Sequence, residues 1–191
     1  MPKAPHSQLP PRLTADTGVS AHRRTPYRQG VSFSLPDLSD SPAERYAELA
    51  AYARALVAGE TDRIANAANL SALVKATVPD LNWVGFYFYD GAELVVGPFQ
   101  GLPACIRIPL DRGVCGAAAR TRETQRVDDV HAIADHIACD GATNSELVVP
   151  LIRDGELIGV FDLDSEKVSR FSDDDQRGLE AVAAVFVDSL A

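Results

Sequence analysis

Two spacings of apolar residues alternate along the chain, and the points where one gives way to the other mark its elements. From Ser41-Pro42, a helix-start signal, Tyr46, Leu49, Ala50, Ala53, Leu56 and Val57 recur every three or four residues, predicting a helix that Gly59 ends. A second helix is predicted to open at Thr61, bury Ile64, Ala67, Ala68, Leu73 and Val74, and stop at Pro79. At Asn82 the spacing becomes two. Trp83 to Tyr89 reads as a strand, and Asp90-Gly91 as the turn into a second strand over Glu93 to Val96. Ile106 to Ile108 predicts a short strand, Val114 to Arg120 a helix of small residues, and Gln125 to Val127 another strand. A polar loop over 128–144 leads to a hairpin of 145–152 with 156–165. Ser172, followed by Asp173, Asp174 and Asp175, caps a last helix with Leu179, Val182, Ala183, Phe186 and Leu190 on its inner stripe. Helices first, hairpins next and a closing helix predict an α+β fold with a central antiparallel sheet flanked by helices.

Charge separates the first residues from the rest. The 191 residues carry a net charge of -9. Residues 1–30 hold Lys3, Arg12, Arg23, Arg24 and Arg28 against Asp16 alone, a local +4 that leaves -13 elsewhere. Pro2, Pro5, Pro10, Pro11 and Pro26 punctuate that stretch, and it has too few apolar residues to recover its ordering entropy by burial. The expected organisation is therefore a flexible basic tail over 1–38 and one folded domain over 39–191. No apolar run approaches the roughly 18 residues of a membrane span, and no secretory pattern opens the chain, so a cytoplasmic location is expected. The acidic domain repels phosphates, which argues against nucleic acid or an anionic membrane as partner.

Three cysteines, Cys105, Cys115 and Cys139, are too few for a disulfide scaffold. Cys115, at the start of the small-residue helix, reads as a small buried hydrophobe, although a helix N-terminus also lowers a thiol pKa. Cys139 sits in the polar loop, where substrate has access. His131, His136, Cys139 and Asp140 lie close together but lack the paired spacings of a zinc site, so no metal is expected and the histidines read as hydrogen-bonding loop residues. A Cys–His nucleophile pair stays open.

The carboxylates say more. Along Val160 to Ser165 acidic and apolar residues alternate, so Asp162 and Asp164 share one face of a strand. A three-residue Arg153-Asp154-Gly155 loop would pair Ile152 with Glu156 and set Glu146 opposite Asp162, whereas a two-residue loop would turn Glu146 to the other face. Gly155 at the third position favours the longer loop. Three converging carboxylates are costly unless solvated, protonated or bound to a ligand, which points to a site. By the same parity Trp83, Gly85 and Tyr87 share a face, where the tryptophan beside a glycine would leave a flat aromatic surface with space above it, while Val84, Phe86 and Phe88 face the core.

Asn82 to Tyr87, Gly97 to Gly101, Ala104 to Pro109, Arg112 to Gly116, Asp128 to His131, His136 to Asp140, Asn144 to Glu146 and Asp162 to Ser165 together closely resemble the motifs of the free methionine-(R)-sulfoxide reductases, enzymes built on a GAF domain. The resemblance spans about residues 42–190. It implies a GAF-like fold in which the Cys139 thiolate attacks the sulfoxide sulfur and becomes a sulfenic acid as methionine departs. Cys105 then condenses with it, with Cys115 as an assisting or alternative thiol. It further implies that Glu146, Asp162 and Asp164 surround the sulfoxide and amino group, Trp83 and Tyr87 the methyl end, and the backbone near Ile137, Ala138 and Cys139 the carboxylate. A thioredoxin-type dithiol would recycle the disulfide with no bound cofactor, and a homodimer stays open. The alternative is a GAF sensor of a small ligand, with redox-active thiols and no turnover.

Overall fold

In the computed structural model, residues 34–133 and 141–190 are described. Helix α1 (Pro42–Leu56) starts with proline in its first turn, where the missing N–H costs nothing, and carries Glu44 at its positive end and Arg54 at its negative end. Helix α2 (Arg63–Thr77) is capped by Asp62, whose carboxylate accepts from the backbone N–H groups of Ile64 and Ala65 at 2.9 Å each. The helix starts after the expected Thr61, and its buried face also differs from the expected one. Ile64 and Ala68 face solvent, while Asn66, Ala67, Leu70, Ser71, Leu73 and Val74 are buried. Asn66 can occupy the interior because its amide donates to Glu60 O and Ser189 Oγ, both at 3.0 Å.

Strands β1 (Trp83–Tyr89), β2 (Leu94–Gln100), β3 (Arg107–Ile108), β4 (Gln125–Val127), β5 (Ser145–Arg153) and β6 (Glu156–Ser165) form one antiparallel sheet in the order β3-β2-β1-β6-β5-β4. Helix α3 (Gly113–Thr121) lies between β3 and β4 in the chain, and α4 (Asp173–Asp188) closes it. The α4 start is a capping box: Ser172 and Asp175 bond each other's backbone N–H. Asp175 also accepts from Tyr46 Oη at 2.5 Å and Arg170 Nη1 at 2.9 Å, which ties α4 to α1. The α+β expectation is met. No helix among the described residues is long and apolar enough to cross a membrane.

The sheet has two unlike faces. Helices α1, α2 and α4 cover one, where Val84, Phe86, Phe88, Leu147, Val149, Phe161 and Leu163 form the main core with Phe186. Phe86 lies 4.7 Å from Phe161 and 4.5 Å from Phe186 between ring centroids. Helix α3 covers the other face, where Trp83, Tyr87, Val148 and Val160 meet Val114, Cys115 and Ala118.

The β5–β6 hairpin corrects the expected register. Its loop has two residues, Asp154 and Gly155, at φ 51° and 81°, the left-handed pair of a type I′ turn, and Arg153 rather than Ile152 pairs with Glu156. That loop alone would put Glu146 on the apolar face. A β-bulge intervenes: Ile152 pairs with Leu157 but Leu151 with Gly159, so Ile158 is an extra residue in β6. The bulge restores the parity, and Glu146 falls opposite Asp164, with Val148 opposite Asp162. The shared face was expected, but the loop length and the partner were not. Gly159 permits the bulge, since a Cβ there would lie 2.1 Å from Tyr87 O on β1.

Candidate active site

Pairing of β1 with β6 brings the aromatic and acidic residues to one face. Trp83 pairs with Asp164 and Gly85 with Asp162, and across β6 Glu146 pairs with Asp164. The acids and aromatics, read separately from the strands, thus form one floor under α3. Glu146 and Asp162 are each only 6% exposed, which for two carboxylates demands compensation, while Asp164 is half-buried. Asp162 Oδ1 is buried with no hydrogen-bond partner. Burial and the adjacent Glu146 carboxylate push Asp162 well above the usual carboxylate range.

Cys115 reaches this floor from α3. Its thiol donates to Asp162 Oδ2 at 3.3 Å and lies 3.9 Å from Glu146 Oε1. It is buried as expected, but a position against two carboxylates was not foreseen. Small residues after it were the available signal, since Gly116 lets the helix backbone approach Pro109 O, where a Cβ would come within 2.7 Å. Burial, together with the Asp162 and Glu146 charges, pushes the Cys115 thiol well up, so it holds its proton at neutral pH. The helix N-terminus does not prevail here.

Tyr87 and Trp83 form the wall, with ring centroids 5.7 Å apart and Trp83 stacked on Phe99 at 5.2 Å. Gly85 lies beneath the indole, since a Cβ there would lie 2.6 Å from Trp83 Cη2 and 2.3 Å from Phe99 Cβ. Glycine thus lets the indole lie flat across the strand. Trp83 Nε1 donates to Leu102 O at 3.1 Å, fixing the indole edge. Burial pushes the Tyr87 hydroxyl up, helped by Asp162, so it stays protonated.

Cys105, in the segment between β2 and β3, is disulfide-bonded and partly exposed, whereas Cys115 is a free thiol. Ile137, Ala138 and Cys139 lie outside the described residues, as do His136 and Asp140. The stems on either side of them are anchored. Asp129 caps a short 3-10 turn over Val130–Ala132, and Asn144 links that turn to the end of β6. Asn144 Oδ1 lies 2.9 Å from His131 Nε2, while its amide donates to Glu166 O at 2.6 Å and its backbone N to Ser165 O at 2.8 Å. Since Asn144 Nδ2 is the donor, His131 Nε2 carries the proton. His131 is thus the hydrogen-bonding loop residue the sequence suggested, and Asn144 is an anchor that sequence reasoning missed. Among the described residues, Cys115, Glu146 and Asp162 could hold a cation, with ligand atoms all within 4.8 Å of one another.

The GAF-domain family model matches residues 63–190. The chain is 49% identical to the free methionine-R-sulfoxide reductase of Escherichia coli over 78% of this chain and 90% of that one. The chain belongs to this GAF-domain reductase family. Among solved structures, the free methionine-R-sulfoxide reductase of Neisseria meningitidis in complex with its substrate superposes with a TM-score of 0.78 at 43% identity, covering 82% of this chain and 94% of that one. A protein of Burkholderia vietnamiensis, described as a GAF sensor, is 62% identical with a TM-score of 0.76 over 78% of this chain and 96% of that one.

Proposed function

We propose that this chain reduces free methionine-R-sulfoxide to methionine. The observation that carries the reading is the buried Glu146–Asp162 pair with an unpartnered Asp162 oxygen, on a face shared with Trp83 and Tyr87, in a chain of this family. Such a pair binds an ammonium with one carboxylate and offers a proton from the other. The upward push on Asp162 makes it the donor to the sulfoxide oxygen, which leaves Glu146, with Asp164 at the rim, for the ammonium. Trp83 and Tyr87 enclose the methyl end, and the backbone near Ile137 and Ala138 takes the carboxylate.

Cys139 is the nucleophile. Its thiolate attacks the sulfoxide sulfur, the oxygen passes to Cys139 as a sulfenic acid, and methionine leaves reduced by two electrons. The Cys105 thiol then attacks the sulfenic sulfur, forming the Cys105–Cys139 disulfide and releasing water. Support for Cys105 over Cys115 comes from their states: Cys105 is disulfide-bonded, while Cys115 is a buried free thiol held in its protonated form. A thioredoxin-type dithiol returns both cysteines to thiols, and the cycle requires no metal or organic cofactor from the chain.

The test is methionine formed per chain after rapid quenching. Wild type should turn over, Cys105→Ser should stop after one equivalent, and Cys139→Ser should release none. A full equivalent from Cys139→Ser overturns the nucleophile, and tight sulfoxide binding without methionine from wild type establishes a sensor instead.

A further inference from the structure

The two most exposed large apolar side chains of the described residues flank the disulfide-bonded cysteine. Leu102 is 64% and Ile106 70% exposed, and Pro103 beside Leu102 is exposed as well. Their backbone is held in place. Leu102 O accepts from Trp83 Nε1 at 3.1 Å, and Ile106 O accepts from Val96 N at 3.0 Å. Arg107 at the edge pairs with Asp90 at 2.9 Å and Glu93 at 2.7 Å. An anchored apolar centre beside an ionic rim has the anatomy of a protein interface, and fixed backbone lowers the ordering cost of using it.

We propose that Leu102, Pro103 and Ile106 form the docking surface for a protein dithiol of the thioredoxin type, and that this partner attacks Cys105 Sγ. The proposal rests on the reductase reading above, in which the Cys105 disulfide must be reduced once per turnover. The occupant follows from the chemistry at the centre of the patch: a disulfide at a partly exposed cysteine is reduced by a thiolate brought against its sulfur, and a protein dithiol reaches that alignment by covering the surface around it. The partner's thiolate forms a bond to Cys105 Sγ as the original disulfide breaks, and the electron pair leaves on Cys139 as a thiolate. The partner's second thiolate then attacks its own first sulfur, which frees Cys105. The partner's dithiol is oxidised to a disulfide, the chain's disulfide is reduced to two thiols, and the partner's two protons balance the thiolates released.

The experiment uses the full chain with Leu102→Ser and Ile106→Ser combined, driven either by thioredoxin with its reductase and NADPH or by dithiothreitol. Thioredoxin-driven kcat/KM should fall about 10- to 30-fold, the loss typical of truncating two interface anchors, while turnover with dithiothreitol and the single-turnover burst stay at wild-type level. Thioredoxin with its second cysteine replaced by serine should be trapped as a mixed disulfide on Cys105, read by peptide mass. An unchanged thioredoxin kcat/KM, or a trap on Cys139, overturns the proposal. A lower mass in sedimentation for the double variant than for wild type also overturns it, by assigning the patch to a second copy of the chain. If wild type makes no methionine with either reductant, the reductase reading fails instead, and the docking surface is judged by the rate at which thioredoxin alone releases titratable thiols from wild type and variant.

Discussion

The two faces of the sheet are built from the same strands and meet opposite demands. Toward α1, α2 and α4 the alternate residues Phe86, Phe161, Leu147 and Leu163 are fully buried and make a dry aromatic and aliphatic core. Toward α3 the intervening residues Gly85, Asp162, Glu146 and Asp164 place two buried carboxylates and a half-buried one against a thiol. The first face gains stability from every residue it buries, whereas the second gives some up by desolvating like charges. Neighbours such as Phe161 and Asp162 therefore serve different ends. The strand period assigns them, and a site costly to the free protein is tolerated because the other face supplies the surplus.

The comparison breaks most sharply at residue level. Asp162→Asn or Glu146→Gln should lower kcat/KM for the free sulfoxide by about 30- to 1000-fold, the loss of about 2 to 4 kcal/mol for a buried partner of a charged group. Their urea midpoints should not fall. Phe161→Ala, one residue from Asp162 but on the helix side, should do the reverse. It should cost about 3 to 5 kcal/mol in urea denaturation, while methionine formed per folded chain in the burst stays near wild type. A loss of activity per folded chain for Phe161→Ala equal to that for Asp162→Asn would erase the distinction between the faces.

A smaller effect sharpens the same contrast through pH. Asp162 holds its proton to a higher pH in the folded than in the unfolded chain, because of burial and Glu146. Its contribution to stability is therefore fully present below the unfolded carboxylate value, about 3.9, and is lost as pH rises through the folded value. Asp162→Asn removes that loss. The ligand-free variant should equal wild type near pH 4 and exceed it by about 1 kcal/mol at neutrality, a gain of about 2 to 4 °C in Tm. Scanning calorimetry at several pH values checks the sign, and a variant that gains as pH falls would mean that Asp162 is ionised in the fold.

The smallest expected effect lies outside both faces. Removing residues 1–30, whose composition favours neither core nor site, should leave Tm and kcat/KM within about 0.5 kcal/mol of the full chain. A larger change in either quantity would show that the segment contributes to the domain.

Most elements were legible because their causes are local. Helix spacing, the Ser172 cap and strand alternation each depend on residues within a few positions, and they placed α1, β1, α3, β6 and α4 and put Asp162 and Asp164 on one face. Resemblance of short motifs carried the reading as far as the family. The buried face of α2 was less legible, because a buried Asn66 depends on Ser189 at the far end of the chain. Which face Glu146 occupies relative to Asp164 depended on a bulge at Ile158, and the bulge depended on β1 lying close against Gly159. The meeting of Trp83 with Asp164, and of Cys115 with Asp162, joins residues distant in sequence. Alternation along a strand says which residues share a side, but only pairing between strands and the seating of a helix on them say what that side faces. Those contacts are settled by the burial of the whole domain rather than by any local stretch of it.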